Sequence, residues 1–336
     1  MKFQLSNSQL SLLESCERKY YHQYINKTLK DINYVAPDFF AYGNMVHKIF
    51  EKIIKTEKDF KITKSSDFEI IWNEVIKEDL YKDLLENNKD GTKLSRGKPV
   101  DDLQRQTLKG KMFSYYILFK RWFNNNIISL GKEVIASEIT LETDTVKMVV
   151  DLIVEIDNKC YIVDFKTHSK MSDADFTAVR LHKDQQMNLY ALHGERVLKY
   201  LGINLEFGGV AYLEFNKTTH SMSKSDTTFE DFAHRIIEDK GEEALVRFLS
   251  ISKEHLDGKG YLENFSKQYH KAMIMREKKD FGIQNWNACV DPFSGPCAYF
   301  SQCYGHLSNE NPFCNIILGT KKATTFEDLF LEGVIL

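Results

Sequence analysis

The stretch "CYIVDFKTHSK", residues 160–170, constrains the fold of this chain more than any other part of its sequence. Its β-branched and aromatic residues predict a strand that enters a core, and Asp164 and Lys166 then follow with one phenylalanine between them. Because side chains alternate along a strand, the acid and the base lie on the same face. Burying such a pair is costly, so the pattern indicates either a partly buried ion pair or a functional site.

A second acid favours the functional reading. Asp151 stands inside the apolar run "VVDLIV", and in a hairpin it lies across from Asp164. Two carboxylates in a dry setting repel each other, and a divalent cation is the usual remedy. Carboxylate oxygens suit a hard ion such as Mg²⁺ or Mn²⁺, and Lys166 would then polarise a water or stabilise charge on a phosphorane. The alternative is an ion pair with Asp151 at a strand end.

Two helical patterns add candidate residues. "GNMVHKIFE" places His47 and Glu51 four residues apart on one helix face, and a neutral imidazole is a feasible third metal ligand. "DQQMNLYAL" places Gln186 and Tyr190 at the same spacing, where they could steady a phosphate or the lysine. A structural histidine and a buried tyrosine are the alternatives.

Composition excludes several classes of protein. The chain has 336 residues, a net charge of −3 and 43% hydrophobic residues, which permits a sizeable core but gives no global basic signature. No apolar run reaches the ~18 residues of a membrane span, and no secretory signal opens the chain, so we expect a cytoplasmic protein, bacterial or in a phage-infected host. The phosphate-binding glycine motifs of nucleotide-driven motors are absent from the sequence.

Hydrophobic periodicity predicts helices and strands in alternating groups. Ser6 and Gln9 form a candidate capping box at the start of the first helix. Helices are predicted over 6–26, 44–56, most of 66–127, from about 181, and 228–278; strands are predicted as a three-strand meander from 133 and at "GGVAYLEF"; residues 280–318 are predicted to be irregular.

In this order, the segments "SNSQLSLLESCERKYYHQY", "YGNMVHKIFE", "VVDLIV", "IVDFKT" and "QQMNLY" resemble the RecB-like branch of the PD-(D/E)xK nucleases. The resemblance implies that His47, Asp151 and Asp164 hold the metal and that Lys166 is the catalytic lysine. Gln186 and Tyr190 would form the accessory Q-x-x-x-Y motif. Glu138 would have at most a supporting role. Val149 stands where the family often has glycine, which would crowd the metal site or the DNA backbone.

The resemblance implies an α/β fold of the restriction-endonuclease kind, a central mixed sheet flanked by helices. We expect a single nuclease domain over 1–336, with a helical insertion at 57–130, a catalytic core at 133–220, a helical segment at 225–285 and a cysteine-containing segment at 286–318. The implied activity is a metal-dependent DNA exonuclease for replication, recombination or repair, acting on single strands or duplex ends, with replication or recombination proteins as partners. A non-catalytic DNA-binding or scaffold subunit and a zinc-stabilised binding protein are the alternatives.

The late cysteines suggest a second metal. Cys289, Cys297 and Cys303 lie within fifteen residues, and zinc and iron–sulfur clusters both take four thiolates. Cys16, Cys160 and Cys314 are candidates for the fourth. By resemblance to nucleases with one early and three late cysteines, Cys16 would complete a [4Fe–4S] cluster, with zinc or a buried thiol as the alternatives. Basic residues near the site, Arg180, His182 and Lys183, could follow a nucleic-acid strand or form a solvated helix face.

Overall fold

A computed structural model describes most of the chain up to residue 282 and a few residues beyond it. The described residues are 3–28, 38–56, 60–61, 63–77, 101–131, 134–256, 258–280, 282, 285, 290–291, 295–299 and 303. They group into two compact units, one of residues 1–36 with 264–336 and one of residues 37–263.

The larger unit is built on a mixed sheet. Five strands are described in this unit, and each pairs with the next along the chain: β2 (Val134–Glu142), β3 (Val146–Ile156), β4 (Lys159–His168), β5 (Glu206–Asn216) and β6 (Val246–Ser252). Strands β2, β3 and β4 are antiparallel, which confirms the predicted meander. Strand β5 runs parallel to β4, and β6 is antiparallel to β5.

Helices cover the sheet, as expected for strands whose residues are buried on both faces. The α-helices that the structure describes in the larger unit are α3 (Asp38–Thr56), α4 (Ser65–Val75), α5 (Asp102–Asn126), α6 (Ala174–Lys183), α7 (Gln185–Tyr200), α8 (Phe229–Lys240) and α9 (Glu242–Leu245). Helices α6 and α7 form the crossover that parallel strands β4 and β5 require. The predicted α/β architecture, a mixed sheet flanked by helices, is confirmed.

An aromatic cluster marks the core on one face of the sheet. Phe165 of β4 points to this face and packs against Phe50 of α3 and Phe119 of α5, with ring centroids 5.2 and 5.7 Å away. Phe215 of β5 joins them, 4.7 Å from Phe50. The phenylalanine between Asp164 and Lys166 therefore anchors the strand, while its two charged neighbours face the other side.

Several element boundaries differ from the prediction. Helix α3 begins before residue 44. The helix predicted from about 181 is two helices: α6 begins at Ala174, and Asp184 ends it and caps α7 by accepting a hydrogen bond from the backbone of Met187. Helical segments are predicted over 228–278. This is wrong at β6, because "VRFLSIS" pairs with β5 and tertiary pairing overrides local propensity. The predicted loop at 86–99 lies outside the described residues.

The smaller unit contains β1 (Leu5–Ser6), α1 (Asn7–Ser15), α2 (Glu17–Tyr20), a π-helical turn (Tyr21–Ile25) and the short strands β7 (Val290–Asp291) and β8 (Gly295–Pro296). Helix α10 (Gly258–Lys278) contributes most of its length to this unit. The capping box of Ser6 and Gln9 is confirmed. The predicted single helix over 6–26 breaks at Cys16, whose backbone is extended (φ −163°, ψ 108°).

Among the described helices, none has the length and apolar character that crossing a membrane would require.

Candidate active site

Two buried aspartates meet where β3 and β4 separate. Leu152 and Val163 form the last paired position of the two strands, and Asp151 and Asp164 each lie one residue beyond it. The Phe165 N–H donates a hydrogen bond of 2.8 Å to Asp151 Oδ2. Beyond the last strand pair, a carboxylate of β3 thus accepts the hydrogen bond in place of a backbone carbonyl. Burial raises the pKa of Asp164, Lys166 lowers it and Asp151 raises it again, and the net shift is upward.

His47 approaches these carboxylates from α3. Its Nδ1 lies 3.4 Å from Asp151 Oδ2, and its ring packs edge-on against Phe165. Burial lowers the pKa of His47, but the carboxylates of Asp151 and Asp164 outweigh this effect and raise it. Gly43, one turn before His47, packs closely against β4. A Cβ at position 43 would lie 3.3 Å from Thr167 Oγ1. Glycine therefore lets this turn of α3 approach the strand closely.

Lys166 is held from two sides. Its Nζ lies 2.6 Å from Asp164 Oδ2 and donates a hydrogen bond of 3.1 Å to Gln186 Oε1. The Gln186 amide nitrogen donates to the Tyr190 hydroxyl at 2.6 Å, and that hydroxyl donates to the backbone carbonyl of Val149. The Q-x-x-x-Y helix therefore links the lysine on β4 to the backbone of β3, two residues before Asp151. The structure brings these residues together around the lysine.

Glu138 is a stronger candidate than its sequence context indicates. It lies in β2 between the pairs Ser137–Leu152 and Ile139–Val150, which places it opposite Asp151. Its backbone has φ 49°, a left-handed conformation that is strained for a non-glycine residue in a strand and is found preferentially at functional sites. Burial and the neighbouring charges of Asp151 and Glu51 raise the pKa of Glu138 to about 7. Glu51 itself is held by Lys48 and Lys55.

A second cluster of charges, the Glu214 cluster, adjoins the first and was not predicted. Glu214 of β5 is fully buried and pairs in register with Lys166. Its carboxylate accepts hydrogen bonds from Arg180 at 2.9 Å and from Arg247 at 2.9 and 2.5 Å, and His168 Nε2 lies 2.9 Å away. The pKa of Glu214 would be raised by burial, but His168 and Arg247 outweigh burial and lower it.

Tyr212 connects the two clusters. Lys166 Nζ and Arg180 Cζ lie 5.5 and 5.8 Å from the centre of its ring, and its hydroxyl donates to Asp184 Oδ2 at 2.6 Å. Of the predicted basic residues, Arg180 thus lies beside the lysine. Glu214 is the acid within the apolar stretch "AYLEF", just as Asp151 is the acid within "VVDLIV". The same pattern could therefore have identified Glu214 as a candidate.

The donor set at the separating strands suits a divalent cation. Asp151, Asp164 and Glu138 offer carboxylate oxygens and His47 offers an imidazole nitrogen, which are ligands of Mg²⁺ and Mn²⁺. In the described part of the chain, however, no three or more His, Cys, Asp or Glu side chains are arranged to hold a metal. One reason is visible: Asp151 turns an oxygen to the Phe165 N–H and Asp164 turns one to Lys166.

The cysteines are only partly described. Cys16 is buried at the break between α1 and α2, Cys297 and Cys303 are half-buried, and Cys289 and Cys314 lie outside the described residues. Tyr299, between the two late cysteines, stacks on His22 of the π-helical turn at 5.5 Å between ring centroids. This contact brings the late segment to the helical region that follows Cys16. Cys160 lies in β4, buried in the core of the other unit.

Comparison with known protein families supports this arrangement. The model of the PD-(D/E)XK nuclease superfamily matches residues 4–304, which is most of the chain. The chain belongs to the PD-(D/E)XK nuclease superfamily. The predicted family is therefore confirmed, and the fold is of the restriction-endonuclease kind. No curated protein matches the chain significantly.

Membership of the PD-(D/E)XK superfamily indicates a hydrolase that acts on nucleic acids, with DNA as the substrate class and Mg²⁺ or Mn²⁺ as the usual cofactor. The departure at Val149 has little structural consequence. Its side chain is 43% exposed, and the contact at this position is made by its backbone carbonyl.

Proposed function

We propose that the protein is a metal-dependent deoxyribonuclease, an exonuclease that hydrolyses phosphodiester bonds during DNA replication, recombination or repair. One observation carries the proposal. A lysine fixed by Asp164 and Gln186 stands beside two buried carboxylates that repel each other. Acids and a base held close together in a dry setting are characteristic of sites that stabilise charge in a transition state.

In the proposed mechanism, Asp151, Asp164 and His47 would hold the metal, and Glu138 is a further carboxylate opposite Asp151. The metal would lower the pKa of a bound water and offset the negative charge of the phosphate. Lys166 orients the attacking water and stabilises the charge that develops on the phosphate oxygens. Gln186 and Tyr190 keep the ammonium group in place, because their hydrogen bonds form a chain from Lys166 through Gln186 and Tyr190 to the Val149 carbonyl.

The Glu214 cluster supports a nucleic-acid substrate. One carboxylate there faces two arginines, so the cluster keeps at least one excess positive charge beside Lys166. The Arg180 side chain is 38% exposed, so we assign it to a phosphate next to the one that is cleaved. A backbone contact of this kind positions a strand without reading its sequence.

The test is cleavage of labelled DNA with Mg²⁺ or Mn²⁺ by the wild type and by Lys166→Ala. Single-stranded and duplex substrates, each blocked at the 5′ or the 3′ end, reveal whether degradation starts at an end and from which one. Metal-dependent cleavage that Lys166→Ala loses is expected. Equal activity of the two proteins, or none with either ion, contradicts the proposal and favours a non-catalytic DNA-binding subunit.

We also infer that Cys16, Cys289, Cys297 and Cys303 hold a [4Fe–4S] cluster. The support is the stacking of Tyr299 on His22, which brings the late segment to the helical region near Cys16. Anaerobic preparation should give a brown protein that absorbs near ~400 nm, and Cys16→Ser should lose the colour. A colourless protein containing stoichiometric zinc would assign the site to zinc instead.

A further inference from the structure

A pocket of about 410 Å³ lies between the β2–β3 hairpin and the second half of α7. Its size is within the range of small-molecule sites. The hairpin contributes Thr140, Leu141, Glu142, Thr143 and Met148, and the helix contributes His193, Arg196, Val197 and Tyr200. None of these residues belongs to the candidate active site.

His193 is the unusual residue of this pocket. It is 7% exposed, and its Nδ1 is buried without a hydrogen-bond partner among the described residues. Burial, with a smaller contribution from the charge of Arg196, lowers the pKa of His193. A buried polar atom without a partner costs free energy, and a ligand in the pocket that turns the ring towards itself and supplies the missing hydrogen bond recovers it.

The mouth of the pocket combines an aromatic ring with a cation. Tyr200 is 78% exposed, which is unusual for so large an apolar surface. Arg196 is exposed and makes no ion pair with any side chain in the described ranges. The walls mix apolar side chains with hydroxyl groups and one carboxylate, Glu142, whose charge is paired with Lys147 at 2.8 Å. Together with a stacking ring, a guanidinium and an imidazole, this lining suits a flat heteroaromatic ring attached to an anion, which is the chemistry of a nucleotide.

The pocket also has a suitable position relative to the candidate active site. His193 lies one turn beyond Tyr190 on α7, and Met148 lies three residues before Asp151 on β3, or about 10 Å along the strand. A single strand whose phosphate lies at Asp151 and Lys166 can therefore reach the pocket with a base a few nucleotides away.

We propose that this pocket binds one unstacked nucleobase of the substrate strand, stacked on Tyr200 and hydrogen-bonded to His193, with Arg196 on the adjoining phosphate. The inference rests on the proposed nuclease function, since it assigns the pocket to the same substrate. It predicts that the strand is held at two points, the active site and the base pocket.

The test uses oligonucleotide binding in the Lys166→Ala background with Ca²⁺, so that cleavage does not interfere, measured by fluorescence anisotropy. Tyr200→Ala and Arg196→Ala should each weaken binding of a single-stranded oligonucleotide on the order of tenfold. Lys199→Ala is the matched control, because it removes a charge from the same exposed helix end but does not line the pocket. It should change the affinity less than twofold, and Tyr200→Phe should bind like the parent.

A single abasic site moved along the oligonucleotide identifies the bound base. One position should weaken binding to the parent about tenfold and have little further effect on Tyr200→Ala. The inference is overturned if pocket variants bind like Lys199→Ala, or if no abasic position distinguishes the parent from Tyr200→Ala. If the parent binds no oligonucleotide at all, the proposed function fails first, and this outcome differs from normal binding that the pocket variants leave unchanged.

Discussion

Asp164 and Glu214 are two buried acids on neighbouring strands and on the same face of the sheet, yet their surroundings are opposite. Glu214 is surrounded by Arg180, Arg247 and His168, and its pKa is lowered. Asp164 has one lysine and faces a second carboxylate, and its pKa is raised. Burial is almost complete in both cases, at 2% and 0% exposed. The balance of charge, and not burial, therefore separates a group that stabilises the fold from one that is held ready for chemistry.

Exchanging each acid for its amide tests this difference, and activity should show the largest effect. Asp164→Asn should lower kcat on the order of 10³-fold or more, because it removes a proposed metal ligand and the partner of Lys166. Glu214→Gln leaves the proposed ligands in place and should retain activity within about tenfold at temperatures where it is folded. Steady-state cleavage of the same labelled oligonucleotide measures both. Comparable losses in the two variants would contradict the distinction.

Stability should respond in the opposite order. Glu214→Gln should lower the free energy of unfolding by about 3 kcal/mol, because two arginine side chains lose the carboxylate that compensates them. Urea unfolding near pH 7 measures this. The lowered pKa of Glu214 means that its stabilisation is present above the unfolded-state pKa of about 4.3 and is lost as the pH falls through the folded-state value. Glu214→Gln should therefore lose less stability than the wild type as the pH falls.

Asp164→Asn should increase stability when no metal is bound, by about 1 kcal/mol near pH 8. The pKa of Asp164 is raised in the folded protein, so ionisation costs the wild type stability as the pH rises from the unfolded-state pKa through the folded-state value. The advantage of the amide should disappear below about pH 4, where the acid is protonated in both states. Unfolding in the presence of a chelator at both pH values provides the comparison, and Asp102→Asn is a matched exposed control. A loss of stability at pH 8 would contradict the charge imbalance.

Binding of Mn²⁺ should give the smallest effect, a rise in Tm of about 2–4 °C for the wild type at pH 8. Asp164→Asn should show little or no rise, and Glu214→Gln should show the full rise from a lower starting temperature. Thermal scans with and without the ion measure the three proteins. An equal rise in Asp164→Asn would place the bound ion elsewhere.

Local sequence identified the elements whose chemistry depends on alternation and spacing. The strand that carries Asp164 and Lys166, the hairpin with Asp151, and the helical pair of Gln186 and Tyr190 all follow from periods of two and about four residues. The aromatic residue between the acid and the base also fits its role as an anchor.

The Glu214 cluster could not be predicted in the same way. "VVDLIV" and "AYLEF" show the same pattern, an acid in an apolar strand, and nothing local distinguishes them. The partners of Glu214 lie more than thirty residues away on either side, at Arg180 and Arg247, and the strand that carries Arg247 was itself predicted as helix. Its charge balance therefore becomes visible only after the sheet is assembled.

The hydrogen bond from Tyr190 to Val149 has a consequence for how such a sequence can change over time. The tyrosine recognises a main-chain carbonyl, which every amino acid at position 149 supplies. Glycine, valine or another small residue can replace one another there without loosening the connection to the catalytic strand. Substitution at this position is thus permitted by chemistry, whereas Tyr190 and Gln186 have no such freedom.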